Sequence, residues 1–432
     1  MADIFPLKGY RYNAKKIENL GEVVSPPYDK IGNDEKQKYL SKNPYNIVNI
    51  ILGHGEHTAK EHQTAAEKLE NWIQNQILIQ DLEAGFYVYE QEYEIGGIKK
   101  KRIGFAGLGK IGEGETSIKA HEETMEGPKA DRLNLLRAAE ANLGHIFMMY
   151  SDEKKIVRQL LVETSSQELP LIDIKDEQGN IHKLWSITDE KKIDLIQEQM
   201  QKKDLYIADG HHRYQTALNF KQECEKKGYQ GDFDRRLMTF FNFEDPGLTI
   251  LATHRLLYGI EDFKTEDFLK GLSENFTIQT YSRPEEMFNE LDNADQVNNV
   301  FGFYSKDSEK YRVISLAENS RKVIMDQINH GHSESWKSLD VAVLHKAILE
   351  KHLGFDKKAL AQKQNIDYVR GRENTLKRLD DSCYQACFIL RPTPVSMVKK
   401  VADCGERMPQ KSTDFYPKLL TGLVLHKLNI KK

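Results

Sequence analysis

Residues 205–218 read Leu-Tyr-Ile-Ala-Asp-Gly-His-His-Arg-Tyr-Gln-Thr-Ala-Leu, and no other segment says as much about the chain's architecture. The first four residues, apolar or small, predict a buried strand. Asp209-Gly210 predicts a tight turn. A helical pattern then opens on His211, His212 and Arg213. Strand, glycine turn and basic helix start together describe an anion site. The first backbone N–H groups of a helix have no intrahelical partner, and the helix dipole favours negative charge there. Gly210 lacks a Cβ, so an anion can come close to the backbone. Arg213 adds a planar fork matched to phosphate. Asp209 could hold a metal, orient an imidazole or act as a base. The competing reading is a polar surface turn with two incidental histidines. Adjacent histidines on a helix point about 100° apart, which suits a shared metal poorly; a zinc protease would space them at i and i+4.

The elements around this unit follow from pattern and punctuation. The helix after the turn is expected to stop at Gly228. Upstream, Ile146–Tyr150 predicts a buried strand, and 131–143 a helix with Leu133, Leu136, Ala139 and Leu143 on one side. Phe86–Ile95 and Ile98–Leu108 predict a hairpin across Gly96-Gly97. Helices are expected at 34–42 and 58–80, and the charged stretch 152–204 predicts helices and one strand pair. Downstream, a hairpin is expected at 237–253 around Asp245-Pro246-Gly247. Beyond about residue 260 helix and strand signals alternate, with a strong helix at Leu339–Leu353 and a strand at Ala386–Leu390. The class is therefore α+β, a mixed α/β chain. We divide it into a nucleotide-binding region with insertions, 1–270, and a C-terminal α/β region, 271–432. No internal repeat or low-complexity linker is evident.

The bulk numbers bound the function. The chain has 432 residues, enough for two or three units or one elaborated domain at about 150 residues each. A hydrophobic fraction of 39% and a charged fraction of 30% fit a globular protein with sizeable cores. The net charge of −4, from 62 basic and 66 acidic residues, gives no global pull toward nucleic acid or an anionic membrane. Any phosphate site must then be local. No 18-residue apolar run and no secretory leader are seen, so a cytoplasmic, non-membrane protein is expected. Cys224, Cys383, Cys387 and Cys404 are too few to staple the chain and are read as reduced thiols.

Other segments carry candidate chemistry. His121-Glu122-Glu123-Thr124 and Gly127-Pro128-Lys129-Ala130-Asp131-Arg132 form a polar loop leading into a helix. Lys129 and Arg132 could neutralise phosphate, and Asp131 could cap the helix or meet Mg²⁺. Glu122 or Glu123 could take a proton from a hydroxyl nucleophile. The alternative is a solvated charged loop. Met408-Pro409-Gln410-Lys411-Ser412-Thr413 resembles the end of a phosphate-binding loop, but Glu-Arg-Met-Pro-Gln after Gly405 is no glycine-rich cradle. Its alternative is a rigid structural loop. Gly107, Gly109 and Gly112 match the spacing of the dinucleotide fingerprint, yet no apolar-periodic helix follows, so the segment reads as a flexible loop. Cys383 and Cys387 read as core thiols rather than zinc ligands. Ser25-Pro26-Pro27-Tyr28-Asp29 could line a pocket or pack Tyr28 on the core.

Six blocks, in order, then form a pattern: Ser25-Pro26-Pro27-Tyr28-Asp29, Asn43-Pro44-Tyr45-Asn46, Gly127–Leu133, Asp209–Tyr214, Glu244-Asp245-Pro246-Gly247-Leu248 and Met408–Thr413. Nearly end to end, the chain resembles a prokaryotic family of unknown function labelled ParB-like, of the chromosome-partitioning type. The Asp-Gly-His-His-Arg block resembles the phosphate-binding box of ParB domains, sulfiredoxin and free-serine kinases. That resemblance implies a ParB/sulfiredoxin-like core with large insertions. It also implies that Gly210, His211, His212 and Arg213 grip phosphates of ATP, ADP or CTP. No helix-turn-helix is evident, and the sulfiredoxin-type cysteine is missing beside the box, which leaves the kinase branch as the better analogue.

The function expected is nucleotide-dependent phosphoryl transfer, with Mg²⁺, to a small hydroxylated metabolite such as free serine. In that reading Glu122, Glu123 or Asp209 activates the acceptor hydroxyl. His121, Lys129, Asp131, Arg132, Lys411, Ser412 and Thr413 handle anionic substrate or product. The rivals are a nucleotide-binding switch of the ParB type, without turnover or hydrolysing slowly, and a phosphoester hydrolase. The expected partners are the small-molecule substrate and the nucleotide, with a homodimer left open.

Overall fold

The computed structural model describes residues 2–53, 58–112, 117–120, 129–328, 331–356, 359–360, 364–381 and 383–432, the side chain of Lys129 excepted. The chain divides into two compact units: 1–119, 125–248 and 417–432 form the first, and 120–124 with 249–416 the second.

The first unit is built on a nine-stranded sheet. Its strands are β1 (Ile4–Phe5), β2 (Phe86–Ile95), β3 (Ile98–Lys110), β4 (Ile118–Ala120), β5 (Ile146–Tyr150), β6 (Ile172–Lys175), β7 (Ile181–Ile187), β8 (Leu205–Asp209) and β9 (Arg235–Asn242). They lie in the order β4-β8-β5-β9-β3-β2-β7-β6, with β1 beside β3. β9 runs parallel to β5, whereas β8 is antiparallel to β5 and β9 antiparallel to β3. All five residues of β5, Ile-Phe-Met-Met-Tyr, are buried, which explains why that strand reads as a continuous apolar run.

Three helices bear on the site: α1 (Ala59–Gln74), α2 (Lys129–Ala139) and α3 (His211–Lys226). α2 packs against both α1 and α3. α1 opens with a capping box, in which Thr58 Oγ1 accepts from the Glu61 amide at 3.4 Å and the Glu61 carboxylate from the Thr58 amide at 3.3 Å. The expected helix 58–80 is shorter than its pattern. Gln76 takes φ +55 and Leu78–Gln80 form a strand. Likewise 131–143 is cut at Ala139 by Glu140 at φ +45, so that Ala141–Asn142 can pair with His426–Lys427. α3 stops as expected, with Gly228 at φ +68.

The last stretch of chain, 417–432, returns to this unit. Arg102 donates to the carbonyl of Pro417, Gln91 to that of Lys418 at 3.0 Å, and Thr421 exchanges backbone bonds with Ser25 at 2.8 and 3.1 Å.

The second unit holds a six-stranded antiparallel sheet of β10 (Thr253–Tyr258), β11 (Phe276–Tyr281), β12 (Val300–Ser305), β13 (Tyr311–Leu316), β14 (Ile366–Arg370) and β15 (Tyr384–Ile389). The order is β11-β13-β12-β15-β10-β14. The helical run 340–353 is present, with Leu344–Glu350 wound as a π-helix.

The mixed α+β class expected from sequence is what the structure shows. Three local readings are corrected. The turn at Asp245-Pro246-Gly247 exists, Asp245 Oδ1 accepting from Gly247 N at 2.8 Å, but its flanks do not form a hairpin. β9 pairs with β3 and β5, whereas Thr249–Ile250 pair with Phe415–Tyr416, because the chain changes unit there. Gly107 and Gly109 lie inside β3, not in a flexible loop. A Cβ at Gly107 would stand 2.6 Å from the Phe86 ring, and one at Gly109 would strike the Met238 sulfur. Those glycines make room for large neighbours on the sheet. Cys387 is a buried thiol as expected, but Cys383 is exposed.

A candidate anion-binding site

The site begins where β8 ends. The register of β8 against β5 slips between Ile207 and Asp209, and Gly210 then takes φ +95, ψ 26 ahead of the first turn of α3. Asp209 Oδ1 accepts from the Gly210 amide at 3.0 Å. Its Oδ2 lies 3.2 Å from Lys418 Nζ and 3.9 Å from Arg213 Nη2. Burial alone would push the Asp209 carboxyl up, but Lys418, Arg213 and Lys30 outweigh it and hold the group well below the usual carboxylate range. It is ionised at neutral pH.

Arg213 folds back under the glycine turn. Its Nη1 donates to the His145 carbonyl, and a Cβ on Gly210 would sit 3.1 Å from its Cζ and Nε. Gly210 is thus required twice, for the left-handed backbone and for the space the guanidinium fills. His145 is fixed by two bonds, Nε2 to the Val424 carbonyl at 3.0 Å and Nδ1 to Thr239 Oγ1 at 2.7 Å. A carbonyl only accepts, so Nε2 carries the proton and Nδ1 takes the Thr239 hydroxyl hydrogen. Burial chiefly draws His145 down to about 4, so the ring is neutral.

Beside this turn lies a cavity of about 60 Å³, lined by three guanidiniums, Arg132, Arg213 and Arg236, with Thr216, Thr421, Tyr28 and an apolar wall of Leu135, Leu136 and Leu143. Arg132 is held on several sides. Nε donates to Asp131 Oδ2 at 2.7 Å, Nη1 donates to the Ile51 carbonyl at 2.6 Å, and the guanidinium lies 4.5 Å from the Tyr28 ring centroid. Asp131 meets His62 Nε2 at 2.8 Å on its other oxygen. Arg236 comes from β9 and is only 7% exposed. Its Nη2 reaches the Gly144 carbonyl at 3.3 Å, and its Nε and Nη1 are buried with no hydrogen-bond partner among the described residues. Thr216 Oγ1 is in the same state.

The structure brings Asp131, Arg132, Asp209, Gly210 and Arg213 into one neighbourhood. His211 and His212 open α3, both half-buried. His121, Glu122 and Glu123 lie outside the described residues, as does the side chain of Lys129, the first residue of α2. Lys411, Ser412 and Thr413 belong to the second unit. There Lys411 takes φ +58 and the buried Ser412 hydroxyl donates to the Pro409 carbonyl at 2.5 Å, as a tight turn requires. Tyr28 satisfies both readings of its loop, since it lines the cavity and packs on the core. Sequence reasoning missed Arg236, Thr216, Lys418 and Thr421. Two had a signal. Arg236 stands immediately before the apolar run of β9, and Thr216 stands three residues after Arg213 on one helix face.

A family model described as "Protein of unknown function (DUF1015)" matches residues 4–342. The chain belongs to that family. The DUF1015 match spans Arg132, Asp209–Arg213, Thr216 and Arg236, whereas Lys418 and Thr421 come from beyond it. No curated protein matches the chain. Among solved structures, it is similar to a conserved hypothetical protein from Pyrococcus furiosus, with 13% identity over 70% of this chain and 89% of that one and a TM-score of 0.32. It is similar also to a free serine kinase in complex with AMP, with 11% identity over 69% of this chain and 83% of that one and a TM-score of 0.33. SbnI with a C-terminal truncation from Staphylococcus aureus matches at 11% identity over 71% and 82%, with a TM-score of 0.32. These are distant likenesses, and no residue role follows from them. No ParB protein is among the matches named here. No helix among the described residues is long and apolar enough to cross a membrane.

Proposed function

We propose that the protein is a nucleotide-dependent phosphotransferase acting on a small hydroxylated metabolite, with the turn at Gly210 holding the nucleotide phosphates. The observation that carries this reading is Gly210 at φ +95, opening a 16-residue helix directly over a buried guanidinium. Backbone amides, a helix dipole and Arg213 then address the same point, which suits a polyanion and little else. Phosphoryl transfer needs positioning and charge neutralisation more than covalent chemistry, and such a site supplies both.

In this reading Gly210, His211, His212 and Arg213 contact ATP or ADP, and Arg132 neutralises an anionic group of substrate or product. Asp209 acts on the cations beside it. A carboxylate held well below its usual range by Lys418 and Arg213 is a weak base. The acceptor's proton is therefore assigned to Glu122 or Glu123. Among the described residues no group of three or more His, Cys, Asp or Glu side chains is placed to hold a metal. Both oxygens of Asp209 are engaged, one by an amide and one by cations. Mg²⁺ fits better as an ion arriving on the nucleotide phosphates than as one in a protein cage, and there it would neutralise charge on the transferring group.

Calorimetric titration with ATP, ADP and CTP on the wild type and Arg213→Ala tests the binding. ATP with a mixture of free hydroxy amino acids tests the transfer. A phosphorylated amino acid is the expected product. Failure of wild type to bind any of the three, or equal binding by Arg213→Ala, refutes the reading. Release of inorganic phosphate alone would mark a hydrolase or a switch.

A further inference from the structure

The cavity beside the turn contains more positive charge than its own carboxylates answer. Arg132 has Asp131 at 2.7 Å, and Arg213 has Asp209 at 3.9 Å. Among the described residues Arg236 has no carboxylate partner. It is 7% exposed, with Nε and Nη1 unbonded. Thr216, 4% exposed, adds an unbonded hydroxyl from the adjoining helix face. Leaving such groups buried and unsatisfied costs about 1–3 kcal/mol each, more when charged. Native interiors rarely tolerate them without a ligand, an ion or water. Neighbouring Leu135 and Leu143 offer no acceptor.

We infer that Arg132, Arg213, Arg236 and Thr216 form a seat for a single phosphate group, presented as inorganic phosphate, as a small phosphomonoester or as a nucleotide's end phosphate. The size fits. The cavity holds about 60 Å³, and one water needs about 10–15 Å³ of such space. There is room for a tetrahedral oxyanion. The charge fits as well. Two guanidiniums already share carboxylates, so the third leaves a net positive hole for the anion. The donors of three planar forks and a hydroxyl exceed the two oxygens of a carboxylate, which favours phosphate over an amino acid's own carboxyl group. Burial, and then Arg213, also draw the Arg236 guanidinium down to about 9, the direction expected of a cation whose anion is missing.

The inference rests on reading this neighbourhood as a phosphate-handling site, but its test needs no nucleotide and no turnover. Full-length wild type, Arg236→Gln and Thr216→Val are melted and titrated with inorganic phosphate, O-phosphoserine and ADP. Acetate at equal ionic strength is the control. Wild type is expected to melt higher in phosphate or O-phosphoserine than in acetate. Arg236→Gln should bind phosphate at least tenfold more weakly, and Thr216→Val several-fold more weakly. Arg236→Gln should melt no lower than wild type without phosphate, because it removes a buried charge that nothing pairs; a merely structural arginine would give the opposite. Displacement of phosphate by O-phosphoserine assigns the seat to a small phosphomonoester, and displacement by ADP to the nucleotide. No phosphate-specific shift in wild type overturns the inference, as does unchanged phosphate affinity in Thr216→Val, even should Arg236→Gln fail to fold. If phosphate binds through Arg236 but no nucleotide does, the seat stands and the kinase reading falls.

Discussion

Gly210→Ala, compared with Gly228→Ala, separates backbone strain from site geometry. Both glycines bound the same helix and both have positive φ, +95 at Gly210 and +68 at Gly228. An alanine in the left-handed region costs about 1–2 kcal/mol. The surroundings differ: nothing lies within 4 Å of a Cβ at Gly228, but at Gly210 it would stand 3.1 Å from the Arg213 Cζ and Nε. Strain alone therefore predicts similar losses of stability for the two variants. For a unit of this size about 1 kcal/mol moves the melting temperature by roughly 2–4 °C, so each variant should fall by about 2–8 °C. Only Gly210→Ala must also push Arg213 aside. A hydrogen bond to a charged group is worth about 1.5–3 kcal/mol, so ADP and phosphate should bind about 10–100-fold more weakly. Urea melts and calorimetric titration read the two quantities separately. Equal ligand affinity in the two variants would refute the placement of Arg213 under the turn.

Other expectations follow from the same neighbourhood. Asp209→Asn should cost about 1.5–3 kcal/mol at pH 7, since its carboxylate receives the Gly210 amide and faces Lys418 and Arg213. The Asp209 carboxyl is lowered in the folded state, so its contribution is full above the unfolded value near 4 and is lost as pH falls below it. Acid melts of Asp209→Asn should show a shallower decline there, and a parallel decline would contradict the ion pairing. His145, drawn down to about 4 from an unfolded value near 6.5, binds its proton more readily unfolded. Stability should therefore drop between pH 6.5 and 4, by on the order of 3 kcal/mol for this group, and His145→Gln should flatten part of that slope. Arg132→Ala should lose roughly 2 kcal/mol through the Asp131 pair, the Ile51 carbonyl and the Tyr28 face, as denaturant titration would show.

The legible parts of this chain were those whose cause is local. Ile95 pairs with Ile98 across Gly96-Gly97, as the two-residue turn demands. The strand, glycine and helix of 205–226 follow from apolar run, turn residue and helical period alone. Errors came where a distant partner overrode the local pattern. The apolar period of 58–80 continues past Gln74, but Leu78 is claimed by Tyr12. Thr249 is claimed by Tyr416 instead of its own hairpin. The site divided in the same way. Asp209, Gly210 and Arg213 sit within one turn of chain and could be read together. Arg236 and Lys418 reach the same place from β9 and from the end of the chain, and short-range spacing carries no sign of such meetings.

Lys418 and Thr421 are also the last parts of the neighbourhood to be synthesised. A ribosome that has passed residue 416 has already made the glycine turn and all three guanidiniums, yet Asp209 still lacks the lysine that steadies it. The turn is therefore completed only once the chain has grown some 200 residues beyond it. A frameshift between residues 240 and 417 would cost Asp209 its lysine while leaving residues 205–218 untouched.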